Sequence, residues 1–332
     1  MRRMEKVLAV GAVWALLMGW AAAPASAAEK VLFILDWAHY GGHVGFFNAL
    51  EAGFFREAGL DVTIQRGNGS GDTIKRIGTK DGQFGFADTG TLVVARGKGA
   101  RVKSLGVLHN KEPHSMYALK SSGIRTVKDL EGKHFGDAEG GSCYALFPAL
   151  AQRNGVKNWK FTNFAPTAKY AVLLAKKVDF ICTYAEFAGG LRVGAAKSND
   201  EVVELRWSDY GLQFHGNGVV AHDDTIAGQP ALAGRFVNAA FRGVADAVKH
   251  RGAAVDRFLK HAPAMDRNII LQAWDVAVSL AHTEETKAIG VGGLSREKMN
   301  ATIDLITRYM KLPSKAKVSD IYAPQFLKKI LP

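Results

Sequence analysis

The sequence predicts an α/β protein of two similar lobes with a helical C-terminal part. Three observations carry this. Apolar strand-like runs alternate with helical stretches from residue 31 to residue 183, the pattern of mostly parallel sheets flanked by helices. Within that run, helix–Gly59–strand over 54–64 resembles helix–Gly155–strand over 150–162, and 74–88 resembles 172–183. After about residue 205 the pattern gives way to long amphipathic helices, which need a sheet to pack on.

In the first lobe, strands are expected at 31–35, 61–65, 84–87 and 102–108, with helices at 44–51, 72–79 and 91–98 between them. Gly41-Gly42 makes the first turn, and Gly59 stops the helix that Phe54-Phe55 closes. The second lobe repeats the pattern with strands at 116–119, 134–136, 159–163 and 178–183 and helices at 127–130, 143–154 and 168–176. A strand at 216–221 precedes helices at 230–250, 253–261, 271–281, 295–310 and 324–331. The simplest path leaves lobe 1, builds lobe 2 and returns, crossing near 112–117 and 212–217. That divides the chain into 28–114 and 215–332 for lobe 1 and 115–214 for lobe 2, with a cleft between. Ligands of open α/β sheets sit outside the carboxyl ends of the strands, so one guest can be enclosed by both lobes.

At 332 residues, 48% hydrophobic and 22% charged, the chain is of ordinary globular composition, which excludes disorder. Two cysteines cannot form a disulfide scaffold. Residues 1–27 read as a secretory leader. Arg2, Arg3 and Lys6 precede an apolar stretch from Val7 to Ala22, Pro24 breaks it, and Ala25-Ser26-Ala27 supplies the cleavage signal. The stretch is shorter than the roughly 20 residues of a spanning helix. A soluble periplasmic protein beginning at Ala28 is expected, which argues against chemistry dependent on cytosolic cofactors. The net charge of +12 is spread along the chain, so it reads as a solvated surface and not as a nucleic-acid site.

The segments Leu35-Asp36-Trp37, Ala49–Val62 (ALEAGFFREAGLDV), Phe84–Thr91 (FGFADTGT) and Val127–Gly141 (VKDLEGKHFGDAEGG) resemble those of type II periplasmic substrate-binding proteins of ABC importers. The branch they resemble binds nitrate, sulfonates and thiamine-pyrimidine precursors. The resemblance covers nearly the whole mature chain. It implies the type II binding-protein fold, two crossover strands, a small-molecule ligand, an inner-membrane ABC permease as partner, a monomer and no cofactor.

The expected ligand residues lie where strands end at the cleft. Trp37, His39 and Tyr40 follow the first strand, where a ring can stack on a flat guest. His39 and His43 are four apart, but Gly41-Gly42 between them breaks helical geometry, so no metal is expected. Asp88 and Thr89 end the third strand, where Thr89 or Thr91 could equally cap the following helix. In Glu139-Gly140-Gly141-Ser142 the glycines let backbone N–H groups face a ligand at a helix N-terminus, although Ser142 could be only a cap. No Gly-x-Ser-x-Gly elbow accompanies it. Tyr184 and Glu186 follow a lobe 2 strand, and the resemblance implies that an aromatic and a Glu there hold the ligand. Phe187 stands after the Glu, where the family has its second aromatic before it. Tyr210 sits near the second crossing.

No Lys or Arg stands at these strand ends. Carboxylates with aromatics favour a guest with N–H donors, such as an amino-substituted pyrimidine, over nitrate or a sulfonate. Cys143 and Cys182 both fall in lobe 2, where a disulfide and simple burial of Cys182 are both open. A related enzyme family makes a thiamine pyrimidine on this fold with a run of neighbouring cysteines, which this chain lacks. A binding protein is therefore expected, working by hinge closure.

Overall fold

The computed structural model describes residues 27–331. The leader expected over 1–27 lies, but for Ala27, outside the described residues. Each lobe is one five-stranded sheet. In the first, Glu29–Ile34 (β1), Leu60–Gln65 (β2), Phe84–Asp88 (β3), Val102–Val107 (β4) and Asn217–His222 (β10) run in the order β2-β1-β3-β10-β4. In the second, His114–Leu119 (β5), His134–Asp137 (β6), Lys160–Asn163 (β7), Phe180–Tyr184 (β8) and Val202–Arg206 (β9) run β7-β6-β8-β5-β9. The two orders are the same pattern. Strand β10 runs antiparallel between β3 and β4, and β5 antiparallel between β8 and β9. Each sheet thus receives its one reversed strand directly from a crossover, 207–216 and 108–113, so both lobes are tied to both hinges.

The helices follow from apolar spacing and close approach. Pro230–Lys249 lays its buried stripe of Leu232, Phe236, Ala240, Phe241 and Val244 into the first core and crosses Val44–Glu51. Gly243 permits that approach, since a Cβ there would stand 2.3 Å from the Cβ of Ala49. A second core runs from the other face of the first sheet (Ile34, Leu92, Val107) into lobe 2 (Phe135, Leu146, Phe180), so the lobes are packed together. Arg296–Tyr309 bridges them, packing on Thr89–Gly97 of lobe 1 and Ser142–Asn154 of lobe 2.

Two expectations fail locally. Strand β9 was unforeseen: Val202–Arg206 is a short edge strand whose polarity (VVELR) hides its pairing with β5. The helix expected over 324–331 is one turn at Pro324–Phe326, followed by irregular chain. There the Ile330 carbonyl accepts from the Val291 N–H at 2.7 Å, and partly buried Leu327 and Ile330 pack on the first core. Tertiary pairing has replaced helical hydrogen bonds.

Candidate functional site

Strand ends from both lobes converge on one cavity of about 30 Å³. Lobe 1 contributes Asp36 and Trp37, immediately beyond β1, and Ser70. Lobe 2 contributes Asp137 at the end of β6, Gly141 and Ser142 in the following loop, Lys169, Tyr184 at the end of β8, and Phe187. That volume holds no more than a few water-sized groups, and the lobes touch across it. A backbone bond holds them so: the Gly71 N–H donates to the Gly140 carbonyl at 2.9 Å. Gly69 permits the contact, because its φ of +138° lies in glycine's region and a Cβ there would stand 2.1 Å from the Gly140 oxygen.

The lobe 1 wall is organised by Asp36, which is 3% exposed. His43 Nε2 lies 2.7 Å from its Oδ1, and the Asn217 amide donates to its Oδ2 at 2.7 Å. The Tyr40 hydroxyl donates more weakly at 3.4 Å. Burial, then the Asp36 charge, pushes the Tyr40 phenol well above its ordinary range, so Tyr40 is a neutral donor. Its ring stacks on Phe187 of the opposite lobe with centroids 4.5 Å apart. On the lobe 2 wall, Lys169 Nζ pairs with Asp137 Oδ1 at 2.6 Å and lies 5.0 Å from the centre of the Trp37 ring. A cation therefore does stand in this cleft, against the sequence-based expectation. It enters from the start of the helix Lys169–Leu174 and not from a strand end.

A chain of hydrogen bonds leads out of the cavity toward the hinge. The Tyr184 hydroxyl donates to Asn217 Oδ1 at 2.6 Å and lies 2.9 Å from Ser142 Oγ. Ser142 Oγ is in turn 2.9 Å from His114 Nε2, and His114 Nδ1 is 2.5 Å from Glu112 Oε1. The protons follow from the neighbours. Tyr184 spends its proton on Asn217, so Ser142 donates to Tyr184 and His114 Nε2 donates to Ser142. His114 is neutral, since burial lowers its pKa to about 4, and Nδ1 therefore accepts. Burial pushes Glu112 well above the usual carboxylate range, so its acid proton is available for Nδ1. The chain Glu112–His114–Ser142–Tyr184–Asn217–Asp36 is donor-to-acceptor in one direction, and each member fixes the next.

Trp37, Gly141, Ser142 and Tyr184 line the cavity, and Tyr40 braces it through Asp36. The others are placed elsewhere. Asp88 is buried, and its Oδ1 accepts from the N–H and hydroxyl of Thr91 at 2.6 and 2.8 Å, capping the helix Thr89–Gly97. Burial raises its pKa. Thr89 donates to the Gly216 carbonyl at 2.7 Å, pinning the second crossover. His39 is packed edge-on against Phe47 and does not line the cavity; burial lowers its pKa to about 4. Gly140 makes the interlobe backbone contact, while Glu139 is exposed outside the cleft. Glu186 is buried beside His109, Nε2 to Oε1 3.0 Å, without lining the cavity. The Tyr210 carbonyl accepts from Arg153 Nε at 3.2 Å, and its ring packs in the second core near the hinge.

Sequence reasoning missed Asp36, Asp137, Lys169 and Asn217. The two aspartates had a signal, since each ends or follows a strand just as Asp88 does. Lys169 and Asn217 had none, because only tertiary folding brings them there. Cys143 and Cys182 form a disulfide with Cα atoms 5.7 Å apart. It ties the first turn of Ser142–Asn154 to β8 two residues before Tyr184, so it braces the Ser142–Tyr184 contact.

A family model described as NMT1/THI5 like matches residues 41–254. The riboflavin-binding protein RibY of Chloroflexus aurantiacus is 24% identical over 299 residues, covering 85% of this chain and 81% of that protein. A 4-amino-5-hydroxymethyl-2-methylpyrimidine phosphate synthase of Legionella pneumophila is 31% identical over 114 residues, 34% of this chain and 36% of that enzyme. Among solved structures, the alkanesulfonate-binding protein SsuA of Xanthomonas axonopodis pv. citri bound to MOPS superposes with a TM-score of 0.68 at 14% identity, over 91% of this chain and 99% of that one. The aliphatic sulphonate-binding SsuA of Escherichia coli gives 0.61 at 15% identity, over 88% and 96%. The fold is thus that of periplasmic substrate-binding proteins.

Proposed function

This chain belongs to the NMT1/THI5-like family, and from that premise we propose that it is a periplasmic solute-binding protein that captures a flat, nitrogen-containing heterocycle and delivers it to an ABC permease. The observation that carries the reading is the convergence of Asp36 and Trp37 from one lobe with Asp137, Ser142, Lys169 and Tyr184 from the other on a single cavity. The rings of Trp37, Tyr184 and Phe187 suit a planar guest. Asp36 offers acceptor oxygen to N–H groups, while Lys169, which spends one of its three N–H groups on Asp137, supplies donors for ring nitrogens or carbonyls. Lys169 balances Asp137, and Asp36, held in place by His43 and Asn217, is the other carboxylate on the cavity wall.

The mechanism is closure about the segments 108–113 and 207–216. A ring enters when the lobes part, and contacts available only to the closed form then favour closure. No covalent step is involved, and no enzymatic activity is proposed. RibY, similar over most of its length, supports a binding role, while the synthase likeness spans only about a third of that enzyme. Riboflavin and the synthase's product both contain a pyrimidine-type ring, which supports that class of guest. A second reading, an alkanesulfonate guest, draws on Lys169 as the anion donor.

A thermal-shift and calorimetry panel of 4-amino-5-hydroxymethyl-2-methylpyrimidine, riboflavin and alkanesulfonates separates the readings. A true guest at 100 times its Kd adds about 2.7 kcal/mol of stability. Trp37→Ala and Tyr184→Phe should each weaken it about tenfold, roughly 1.4 kcal/mol, while exposed Glu139→Ala leaves it unchanged. Binding of sulfonates alone, or undiminished affinity in both cleft variants, overturns the heterocycle reading.

A further inference from the structure

The hydrogen-bond chain that begins at Asp36 ends at Glu112, and Glu112 lines a second, much larger cavity of about 540 Å³. This cavity shares no lining residue with the first. Its walls are the two crossover segments together with the C-terminal helices Arg267–Ala281 and Arg296–Tyr309. The hinge therefore runs between a small cavity and a large one, the latter of the size that encloses small organic molecules.

Its chemistry is uneven. Lys111, Arg206 and Lys298 bring three cations. Lys298 is committed, donating to the Asn110 carbonyl and side-chain oxygen at 2.5 and 2.6 Å and pairing with Glu285 at 3.1 Å. Arg206 has only a loose contact, 3.5 Å from Glu204, which Arg192 already holds at 2.6 Å. Lys111 has no ion pair among the described residues. Phe214 and Leu280 add apolar surface to the same cavity. The Glu112 side chain is 2% exposed, and its Oε2 has no hydrogen-bond partner among the described residues. Its Oε1 is already used by the backbone and ring of His114. A buried acceptor without a donor is expensive, and the residue that carries it is one of those lining the cavity.

We propose that this hinge cavity is a second ligand site, for a small organic anion that carries an apolar body and an N–H or O–H donor. The anionic head meets Lys111 and Arg206, one cation from the first crossover and one from the end of β9. The body lies on Phe214 and Leu280, and the donor satisfies Glu112 Oε2. Charge-assisted bonds to the unpaired Lys111 and the loosely paired Arg206 select for the anion, and the orphaned oxygen selects for the donor.

The test is calorimetric titration of the full chain with three probes: 4-hydroxybenzoate, benzoate, which lacks the donor, and 4-hydroxybenzamide, which lacks the charge. The expected order of affinity is 4-hydroxybenzoate, then benzoate, then 4-hydroxybenzamide. The double variant Lys111→Gln, Arg206→Gln changes two exposed side chains and should weaken 4-hydroxybenzoate about tenfold. Leu280→Trp, which fills the cavity, should abolish its binding with the melting temperature retained. Trp37→Ala, in the interlobe cavity, should leave it unchanged. Loss of binding in Trp37→Ala with retention in the double variant would place the probe in the interlobe cavity and overturn the proposal. So would the absence of saturable binding, or equal affinity for all three probes. None of these outcomes depends on the identity of the interlobe guest.

Discussion

Replacing Lys169 by Met tests the most buried charge pair of the interlobe cavity. The side chains of Lys169 and Asp137 are 5% and 0% exposed and meet at 2.6 Å. Without the lysine, Asp137 Oδ1 keeps the Ala138 N–H at 2.7 Å, and Oδ2 has no partner among the described residues. Breaking one side of a buried pair costs about 3–5 kcal/mol. Burial already pushes the Asp137 carboxyl up, with Lys169 the first opposing influence, so in the variant it escapes by taking a proton. The sign follows. A carboxyl with a raised folded pKa holds its proton in the native state where the unfolded chain has lost it, so stability falls as pH rises above the unfolded pKa of about 3.9. The deficit of Lys169→Met relative to the parent should therefore approach about 3–5 kcal/mol at pH 8, a fall of roughly 10 °C in melting temperature, and be much smaller at pH 5. Urea unfolding followed by tryptophan fluorescence reads it as a shift in midpoint with unchanged slope. Adding Asp137→Asn should recover much of the pH 8 loss, since it removes the stranded charge. An equal deficit at both pH values, or a further loss on adding Asp137→Asn, would refute the reasoning.

Three other outcomes follow from the same geometry. Gly69→Ala places a Cβ 2.1 Å from the Gly140 oxygen across the lobe interface, so the lobes should stand farther apart. Small-angle scattering should report a larger radius of gyration, and an unchanged one would sink the closure contact. Removing the disulfide by Cys143→Ser and Cys182→Ser opens a loop of sequence separation 39. By chain entropy this lowers stability by roughly 4 kcal/mol, measured by denaturant unfolding, and a loss below a quarter of that would show that the bridge adds little. Burial holds His215 at about 3, so it refuses the proton that the unfolded chain accepts near 6.5. This stability is present at neutral pH and is lost as pH falls from about 6.5 toward 3. The advantage of the parent over His215→Gln should therefore shrink by about 1.4 kcal/mol per pH unit below 6, and a constant gap in thermal melts between pH 7 and pH 4 would contradict it.

The alternation of elements could be read locally because each strand and helix must hide its own apolar face. This is why 31–35 became Glu29–Ile34 and 143–154 became Ser142–Asn154 almost unchanged. Edge strand β9 and the last segment escaped because their structure is set by partners, β5 and Val291, and not by their own periodicity. At the site, Trp37, Ser142 and Tyr184 were legible because a ring or a hydroxyl at the end of a strand, or in the loop after it, stands at the edge of the cleft. Asp88 occupied the same kind of position yet turned inward to cap its own helix, a choice made within a single residue's rotamers.

The sequence by itself determined two repeated sheets, the two crossings that link them and the strand ends that bound a cleft, since hydrophobic periodicity and turn residues act over short range. Only the tertiary structure decided the charge of the cleft and its bracing. Lys169 reaches Asp137, and Asn217 reaches Asp36 across 181 residues of chain. Contacts made at such separations depend on how whole lobes dock, and nothing in the local residue pattern encodes them.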